Sequence, residues 1–176
     1  MLTDLPGIAL AVQTADCLPV FLAHPLGPIA TIHAGWRGTL AEITAKAIAV
    51  MSQHFSLDPR ELCAAIGPSI CGACFEIGEE VARSFREGGK AGAWLKPKEK
   101  KFLLDLKMAN REQMLKAGLK IDKIEIRPEC TLCREREYFS YRGAARRGEP
   151  NEGRNLSWIA RLPGLAAAAP KNLFPS

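Results

Sequence analysis

The residues of this sequence best suited to chemistry are Cys17 and His33, which stand at the outer ends of two apolar runs. The runs, residues 18–23 and 28–32, are separated by a turn-forming His-Pro-Leu-Gly sequence, and this pattern predicts a β-hairpin. In a hairpin, the residue before the first strand and the residue after the second lie at the same open end. We therefore expect Cys17 and His33 to face each other.

A thiol and an imidazole at one end of a hairpin can bind a metal ion, or can act as a nucleophile with its base. The alternative is a buried cysteine beside a hydrogen-bonded core histidine. The neighbouring residues favour a site, because Asp16 precedes the cysteine and Gly35-Trp36-Arg37-Gly38 follows the histidine closely. Glycine lets the backbone approach a ligand, and arginine can bind a phosphate or carboxylate through two N–H groups.

A second set of candidate ligands consists of two CxxC pairs, Cys71 with Cys74 and Cys130 with Cys133. Two such pairs can occupy the four corners of a structural zinc site. The span between the pairs is far longer than in zinc ribbons, which favours the alternative of four loop thiols, some of them buried. The sequence leaves both interpretations open.

The composition limits the class of protein. With 176 residues, 47% of them apolar, the chain can form one compact domain. It contains no apolar run of about eighteen residues and no visible signal peptide, so we expect a cytoplasmic protein with reduced thiols or metal ligands rather than disulfides. The net charge of +5 favours anionic partners such as phosphate, but the basic residues are scattered, so neither nucleic acid nor a membrane is an expected partner. The two other histidines, His24 in the turn and His54 near a helix end, are expected to be solvated.

Strands and helices mix without a regular βαβ repeat, and no glycine-rich phosphate loop is present. This pattern predicts an α+β domain with mixed sheets. The first strand should be buried on both faces because it is apolar throughout. In addition to the hairpin, we expect strands at residues 8–12, 62–66, 121–126, 138–142 and 155–159.

Helical periodicity predicts one helix at residues 40–55, one carrying Ile77, Val81 and Phe85, and one that ends at Lys116. Thr39 and Glu42 have the form of a capping box for the first helix. Asp105 is the expected N-cap of the third, which Gly118 should end. Residues 88–101 and 143–153 are predicted to be loops.

Several longer motifs carry a family resemblance: TADCLPV and HAGWRG, then GPSICGACFEIGEEV, LDLKMANREQMLKAGL, CTLCREREYFSYRG and GRNLSWIA. Together and in this order they resemble the signature of the YfiH-type laccase-domain family, whose members are known as polyphenol oxidases, purine nucleoside phosphorylases or peptidoglycan editing factors. The resemblance runs from Thr3 to about Ala160. It implies a layered α/β/β/α, YfiH-like architecture with mixed β-sheets.

The family's metal site is built from His, Cys and His, and by motif Cys17 matches the Cys ligand and His33 the second His ligand. The first His of the family lies in a QVHG motif upstream of the ADC segment, and this sequence has no such motif. The chain therefore resembles the C-terminal portion of a single laccase-type domain. We expect that portion to cover residues 1–162, followed by a flexible tail at residues 163–176.

The resemblance implies a zinc-dependent enzyme of purine nucleosides, with copper as the alternative metal. Attack by water on the ring would deaminate adenosine, and attack by phosphate on the ribose would split adenosine, inosine, guanosine or methylthioadenosine. Cys17 and His33 are the expected metal ligands and, with Asp16, the expected catalytic residues; Asp16 would orient a ligand or carry a proton. The residues expected to contact the substrate are Gly35, Trp36 and Arg37, with Arg37 as the candidate for binding an anion.

Three other functions stay open. A copper-dependent polyphenol oxidase is one, although three histidines cannot form the several His-x-His pairs of ordinary multicopper oxidases. A hydrolase that edits a peptidoglycan precursor is the second, with Cys17 as nucleophile and His33 as base. The third is an inactive fragment or a domain completed by a partner. The expected assembly is a monomer or a homodimer.

Overall fold

The computed structural model describes residues 1–150 and 153–163. The predicted flexible tail lies outside the described residues except for Pro163. No helix in the described ranges is long and apolar enough to cross a bilayer. The strands, in chain order, are β1 (Leu2–Thr3), β2 (Ala9–Thr14), β3 (Leu18–Ala23), β4 (Ile29–Ala34), β5 (Cys63–Ile66), β6 (Glu76–Ile77), β7 (Leu95–Lys98), β8 (Lys101–Leu104), β9 (Ile124–Ile126) and β10 (Asn155–Ala160). The helices are α1 (Trp36–Leu40), α2 (Ile43–Phe55), α3 (Glu79–Glu87), α4 (Leu106–Lys116) and α5 (Tyr141–Arg147), and short 3-10 turns cover Pro59–Glu61 and Ile121–Lys123.

The largest sheet has five strands in the order β1-β4-β3-β5-β9, and it is mixed because β5 and β9 are parallel while the other pairs are antiparallel. Two smaller antiparallel sheets are formed by β2 with β10 and by β6, β8 and β7. One face of the large sheet packs on α2, and the β2–β10 pair also packs against β4. The predicted α+β class with a mixed sheet is confirmed.

The predicted hairpin is present as β3 and β4, in a register that pairs Leu18 with Ala34 and Pro19 with His33. Its turn is closed by the amide of His24, which donates to the carbonyl of Pro28 over 2.9 Å. The second strand runs two residues further than predicted, so His33 lies within β4. Because side chains alternate along a strand, His33 points to the face opposite Ala34, which packs in the core with α2.

His24 is not solvated, as the sequence suggested, but buried. Its Nδ1 accepts a hydrogen bond from the amide of Leu26 over 3.1 Å, and its Nε2 lies 3.3 Å from a carboxylate oxygen of Glu61. The turn residue is therefore a fixed part of the hairpin. His54, near the end of α2, is exposed as predicted.

The predicted capping box is wrong, because Thr39 is an internal residue of α1 and Glu42 makes no side-chain cap. Glu42 has a left-handed backbone with φ of 57°, and this residue separates α1 from α2. The hydroxyl of Thr39 instead accepts a hydrogen bond from the side chain of Asn110 in α4 over 2.9 Å. Thr44 in α2 donates to the same Asn110 side chain over 2.6 Å. A distant helix thus fixes the position of α1.

Several further strand and loop predictions are wrong. The predicted loop at residues 143–153 begins inside α5, and the predicted strand at residues 121–126 is a strand only from Ile124, after a 3-10 turn. Residues 8–12 are not buried on both faces: β2 alternates between exposed and buried residues and pairs with β10. The predicted loop at residues 88–101 contains the hairpin strand β7 and the start of β8. The predicted strand at residues 138–142 is absent: its last two residues begin α5, because the hydroxyl of Ser140 accepts a hydrogen bond from the amide of Gly143 and caps the helix. The predicted helix at residues 40–55 begins only at Ile43 as α2, and the next helix, α3, carries Val81 and Phe85 but not Ile77, which lies in β6. The third predicted helix is present as α4, and Asp105 caps it by accepting a hydrogen bond from the amide of Met108.

Candidate functional site

The open end of the β3–β4 hairpin brings Cys17 and His33 together. Cys17 Sγ lies 2.9 Å, and His33 Nε2 3.9 Å, from the point that a Cβ atom on Gly35 would occupy. Any larger residue at position 35 would collide with the sulfur, so glycine is required here by close approach. The predicted proximity of thiol and imidazole is therefore present, and Gly35 lies directly beside both.

The two side chains differ in their surroundings. His33 is exposed and Cys17 is half-buried. Burial raises the pKa of the Cys17 thiol, and the neighbouring carboxylate of Asp16 raises it further. A cation at this position would oppose both effects, because it favours the thiolate.

A cavity of about 510 Å³ opens beside this pair. Its lining includes Cys17, His33 and Trp36 from the hairpin end and α1, and Phe75 and Arg142 from later parts of the chain. Cavities of about 300–1,000 Å³ with a few converging polar groups are typical of sites for small molecules. The cavity is therefore large enough for a ligand of nucleoside size.

Asp16 connects the site to the C-terminal third of the chain. One of its carboxylate oxygens accepts hydrogen bonds from the hydroxyls of Thr131 and Ser140, each over 2.7 Å. The other oxygen accepts from the amide of Arg142 over 2.7 Å. Asp16 is buried and has a left-handed backbone with φ of 82°, a conformation that aspartate tolerates better than most residues. These contacts hold the turn that carries Cys17.

Sequence reasoning did not single out Thr131 and Ser140 as part of the site. The local signals were the small polar residues of the CTLC and YFSYR motifs, and Ser140 is already accounted for as the cap of α5. Their shared partner, Asp16, lies more than a hundred residues earlier. Only the folded chain reveals that relation.

The predicted substrate contacts do not all lie in the cavity. Trp36 lines the cavity, whereas Arg37 is not part of the lining, and its guanidinium stacks over the Trp36 ring at 4.2 Å. Two other arginines, Arg142 and Arg154, line the cavity. The guanidinium of Arg142 donates to the carbonyl of Glu76 over 3.0 Å, which fixes its position. Both arginines lie in motifs of the C-terminal third that the sequence analysis did not assign to the site.

The two CxxC pairs lie together, although their separation in sequence favoured independent thiols. The four sulfur atoms of Cys71, Cys74, Cys130 and Cys133 are within 4.8 Å of one another, and the cluster could bind a metal. The physical reason is the parallel pairing of β5 with β9, since loops that follow parallel neighbours leave the sheet at the same edge. Burial raises the pKa of Cys130, but hydrogen bonds from the amides of Cys71 and Cys133 and from their thiols outweigh it and lower the pKa to about 7.

This cluster is the only group of three or more His, Cys, Asp or Glu ligands that could hold a metal within residues 1–150 and 153–163. Cys17 and His33 offer two potential ligand atoms, and no third potential ligand groups with them in the described part of the chain. A sulfur and an imidazole nitrogen are ligands that suit both zinc and copper. The pair fits one part of a metal site.

Comparison with known proteins shows consistent relatives over almost all of the chain. Residues 1–162 match the family model described as multi-copper polyphenol oxidoreductase laccase. A purine nucleoside phosphorylase from Bacteroides thetaiotaomicron is 39% identical over 163 residues, which is 90% of this chain and 59% of that relative. A protein named adenosine deaminase RL5, from an unknown prokaryotic organism, is 37% identical over 168 residues, which is 92% of this chain and 61% of that relative.

Solved structures agree with these relatives. The crystal structure of YlmD from Geobacillus stearothermophilus matches with a TM-score of 0.83 at 33% identity, over 92% of this chain and 60% of that chain. The structure of a hypothetical protein YfiH from Bacillus licheniformis matches with a TM-score of 0.80 at 34% identity, over 91% of this chain and 60% of that chain. The chain thus spans about three fifths of the length of these relatives. On the family model and these relatives, the chain belongs to the YfiH-type family of multi-copper polyphenol oxidoreductase laccases.

Proposed function

We propose that the cavity beside Cys17 and His33 binds a purine nucleoside, and that the two residues are ligands of a catalytic zinc ion. The observation that carries the proposal is the placement of a thiol and an imidazole in the lining of a cavity of about 510 Å³ that also contains two arginines. The names of the relatives, purine nucleoside phosphorylase and adenosine deaminase, support the choice of substrate. When bound, zinc supplies a Lewis acid that polarises oxygen atoms and makes water more acidic.

The lining offers separate surfaces for the parts of a nucleoside and its co-substrate. Trp36 and Phe75 provide aromatic faces on which a purine base can stack. Arg142 and Arg154 are better placed than Arg37 to bind phosphate, because they line the cavity and Arg37 does not. In phosphorolysis, phosphate bonds to the ribose anomeric carbon while the glycosidic bond breaks and its electron pair leaves with the base. In deamination, water adds to the purine ring and ammonia leaves.

Each residue near the metal ligands has a defined part in this proposal. Gly35 leaves space for the Cys17 sulfur, and Asp16 positions the turn on which Cys17 lies. The carboxylate of Asp16 is occupied by three hydrogen bonds, which supports a positioning role more than proton transfer. We assign catalysis to Cys17 and His33, with Asp16 acting through Cys17.

We further propose that residues 1–162 form the C-terminal portion of a single laccase-type domain, and that a third zinc ligand comes from outside this sequence. The length of the relatives supports this, because the chain covers about three fifths of each. Catalytic zinc sites usually have three protein ligands. The exposure of Leu156 and Trp158 on β10, 63% and 64%, is also consistent with a surface covered by a further part of the domain.

A nucleoside-processing enzyme with several free thiols belongs in the cytoplasm.

The test is turnover of adenosine and inosine, with and without phosphate, by the purified chain in excess zinc. Excess metal is needed because two protein ligands hold zinc less tightly than three. We expect Cys17→Ala and His33→Ala to reduce both reactions to background. Cys63→Ala and His54→Ala, which remove the same residue types outside the cavity, should retain the wild-type rate. Measurable turnover at equal rates in the wild type, Cys17→Ala and His33→Ala would overturn the proposal.

Oxidation of a phenol at copper is the second candidate, because the family model is described as a polyphenol oxidoreductase and the Cys–His pair also suits copper. The positions of the other histidines argue against a multi-copper centre, since His24 is buried against Glu61 and His54 lies on the surface of α2. Copper-dependent oxidation of a phenol without nucleoside turnover would replace the first proposal. Nucleophilic hydrolysis by Cys17 of a peptidoglycan precursor would instead survive chelation of all metals.

A further inference from the structure

The two CxxC pairs form a site of their own, separate from the cavity. We propose that Cys71, Cys74, Cys130 and Cys133 bind one structural zinc ion through four sulfur ligands. Neither the cavity nor the proposed nucleoside chemistry uses these sulfurs, so the proposal does not depend on the function argued above.

The spacing of the sulfur atoms fits a zinc ion. Four sulfurs placed tetrahedrally at about 2.3 Å from zinc lie about 3.8 Å from one another. In this chain all four lie within 4.8 Å of one another, and the sulfurs of Cys74 and Cys133 are 3.4 Å apart. Sulfurs in a disulfide are only about 2.0 Å apart, and all four cysteines are free. Closing the widest separation of 4.8 Å to that of the tetrahedron needs a shift of about 0.5 Å for each sulfur.

The backbone around the cluster is arranged for thiolate ligands. The amide of Cys71 donates to the sulfur of Cys130 over 3.3 Å, which links one pair to the other. Each CxxC segment is a tight turn: the amide of Cys74 donates to the carbonyl of Cys71 over 3.0 Å, and the amide of Arg134 donates to the carbonyl of Cys130 over 3.0 Å. Hydrogen bonds to a ligand atom hold it in place and stabilise its negative charge. The four sulfurs are thus positioned by the fold itself.

A buried lysine supplies charge of the right sign beside the cluster. Lys107 is 7% exposed, and its ammonium donates to the carbonyls of Arg127 and Glu129 over 2.6 and 2.9 Å. Its charge also interacts with Cys130 and Cys71. Zinc with four thiolates carries two net negative charges, so a buried cation nearby offsets part of that charge. The two hydrogen bonds of Lys107 also hold the backbone immediately before Cys130 in place.

Four protein thiolates complete the coordination of zinc and leave no position for substrate, so the site is structural. Its effect on the cavity is mechanical. The loop at residues 69–75 carries Ile70 and Phe75, which line the cavity, and the facing loop carries Thr131, which holds Asp16. An ion that joins the two loops therefore fixes one wall of the cavity and the anchor of Asp16 together.

The test is zinc content of the chain, purified under reducing conditions and passed through metal-free buffer. We expect the wild type, Cys17→Ala and the control Cys63→Ala each to retain about one zinc per chain, because the four-thiolate site holds zinc tightly. Cys74→Ser and Cys133→Ser should lose it. Equal zinc content in Cys133→Ser and the control would overturn the proposal.

A second measurement avoids dependence on variants that fail to fold. Folded Cys17→Ala is loaded with one equivalent of cobalt, whose absorption reports the number of thiolate ligands and their geometry. The proposal requires the sulfur-to-cobalt charge transfer of four thiolates and the visible bands of a tetrahedral ion. A spectrum of an octahedral ion, or two disulfides found by mass spectrometry in the metal-free chain made under reducing conditions, would contradict it.

Discussion

The role of Asp16 can be separated from catalysis by two substitutions at this one position. Asp16→Ala removes the acceptor of three hydrogen bonds and leaves the hydroxyls of Thr131 and Ser140 and the amide of Arg142 without it. Each buried polar group left unsatisfied costs about 1–3 kcal/mol, so we expect a loss of at least about 3 kcal/mol in the free energy of unfolding. Domains of this size are stable by about 5–15 kcal/mol, so the variant should remain measurable but fragile.

Asp16→Asn tests the chemistry, because it keeps the shape and one carbonyl acceptor. Its amide oxygen can still accept from the amide of Arg142, and its NH₂ group can donate to the hydroxyls of Thr131 and Ser140. We expect a loss of about 1–2 kcal/mol in stability and retention of substantial nucleoside turnover.

The assay is urea unfolding of both variants at fixed zinc, together with turnover at saturating substrate. Asp4→Ala, which removes an exposed carboxylate, is the control and should change stability by less than about 0.5 kcal/mol. Wild-type stability of Asp16→Ala would refute the structural reasoning. A fully folded but inactive Asp16→Asn would show that Asp16 carries a proton.

Further predictions concern positions around the site. Asn110→Ala leaves two buried hydroxyls without a partner, and urea unfolding should show a loss of about 2–4 kcal/mol. Gly35→Ala forces a Cβ atom to 2.9 Å from the Cys17 sulfur, so turnover should fall more than about tenfold, the equivalent of about 1.4 kcal/mol in the barrier. Arg142→Met should raise the KM for phosphate by about 10–100-fold with the fold retained, because its side chain, unlike its amide, does not contact Asp16. Removal of the structural zinc by a chelator should lower the Tm of the wild type and leave that of Cys133→Ser unchanged.

The features predicted correctly from the sequence are those with local signals. The β3–β4 hairpin follows from two apolar runs around a turn that contains proline and glycine. The hairpin alone places Cys17 beside His33, independently of the rest of the fold. The cap at Asp105 and the stop at Gly118, whose φ is 101°, are likewise encoded within a few residues. Local rules were sufficient in these places because no distant partner competes with them.

The errors arise where a distant partner decides the local structure. Thr39 and Glu42 have the sequence of a capping box, but the hydroxyl of Thr39 accepts a hydrogen bond from Asn110, which lies in another helix. The aromatic stretch at residues 138–142 has the composition of a strand, yet the hydrogen bonds to the carboxylate of Asp16 and the cap at Ser140 end it in a helix that begins at Tyr141. The long span between the two CxxC pairs also argued against a joint cysteine site. The pairs meet because β5 and β9 are parallel neighbours, and that pairing has no local signal in the sequence.

The measurement that tests the central claim most directly is product analysis of zinc-loaded chain with inosine and phosphate, and with adenosine alone, beside the His33→Ala variant. The account predicts free base and ribose 1-phosphate from the first mixture and inosine from the second, with neither product formed by His33→Ala. Identical products and rates from the wild type and the variant would contradict the claim that the Cys17–His33 pair carries the chemistry.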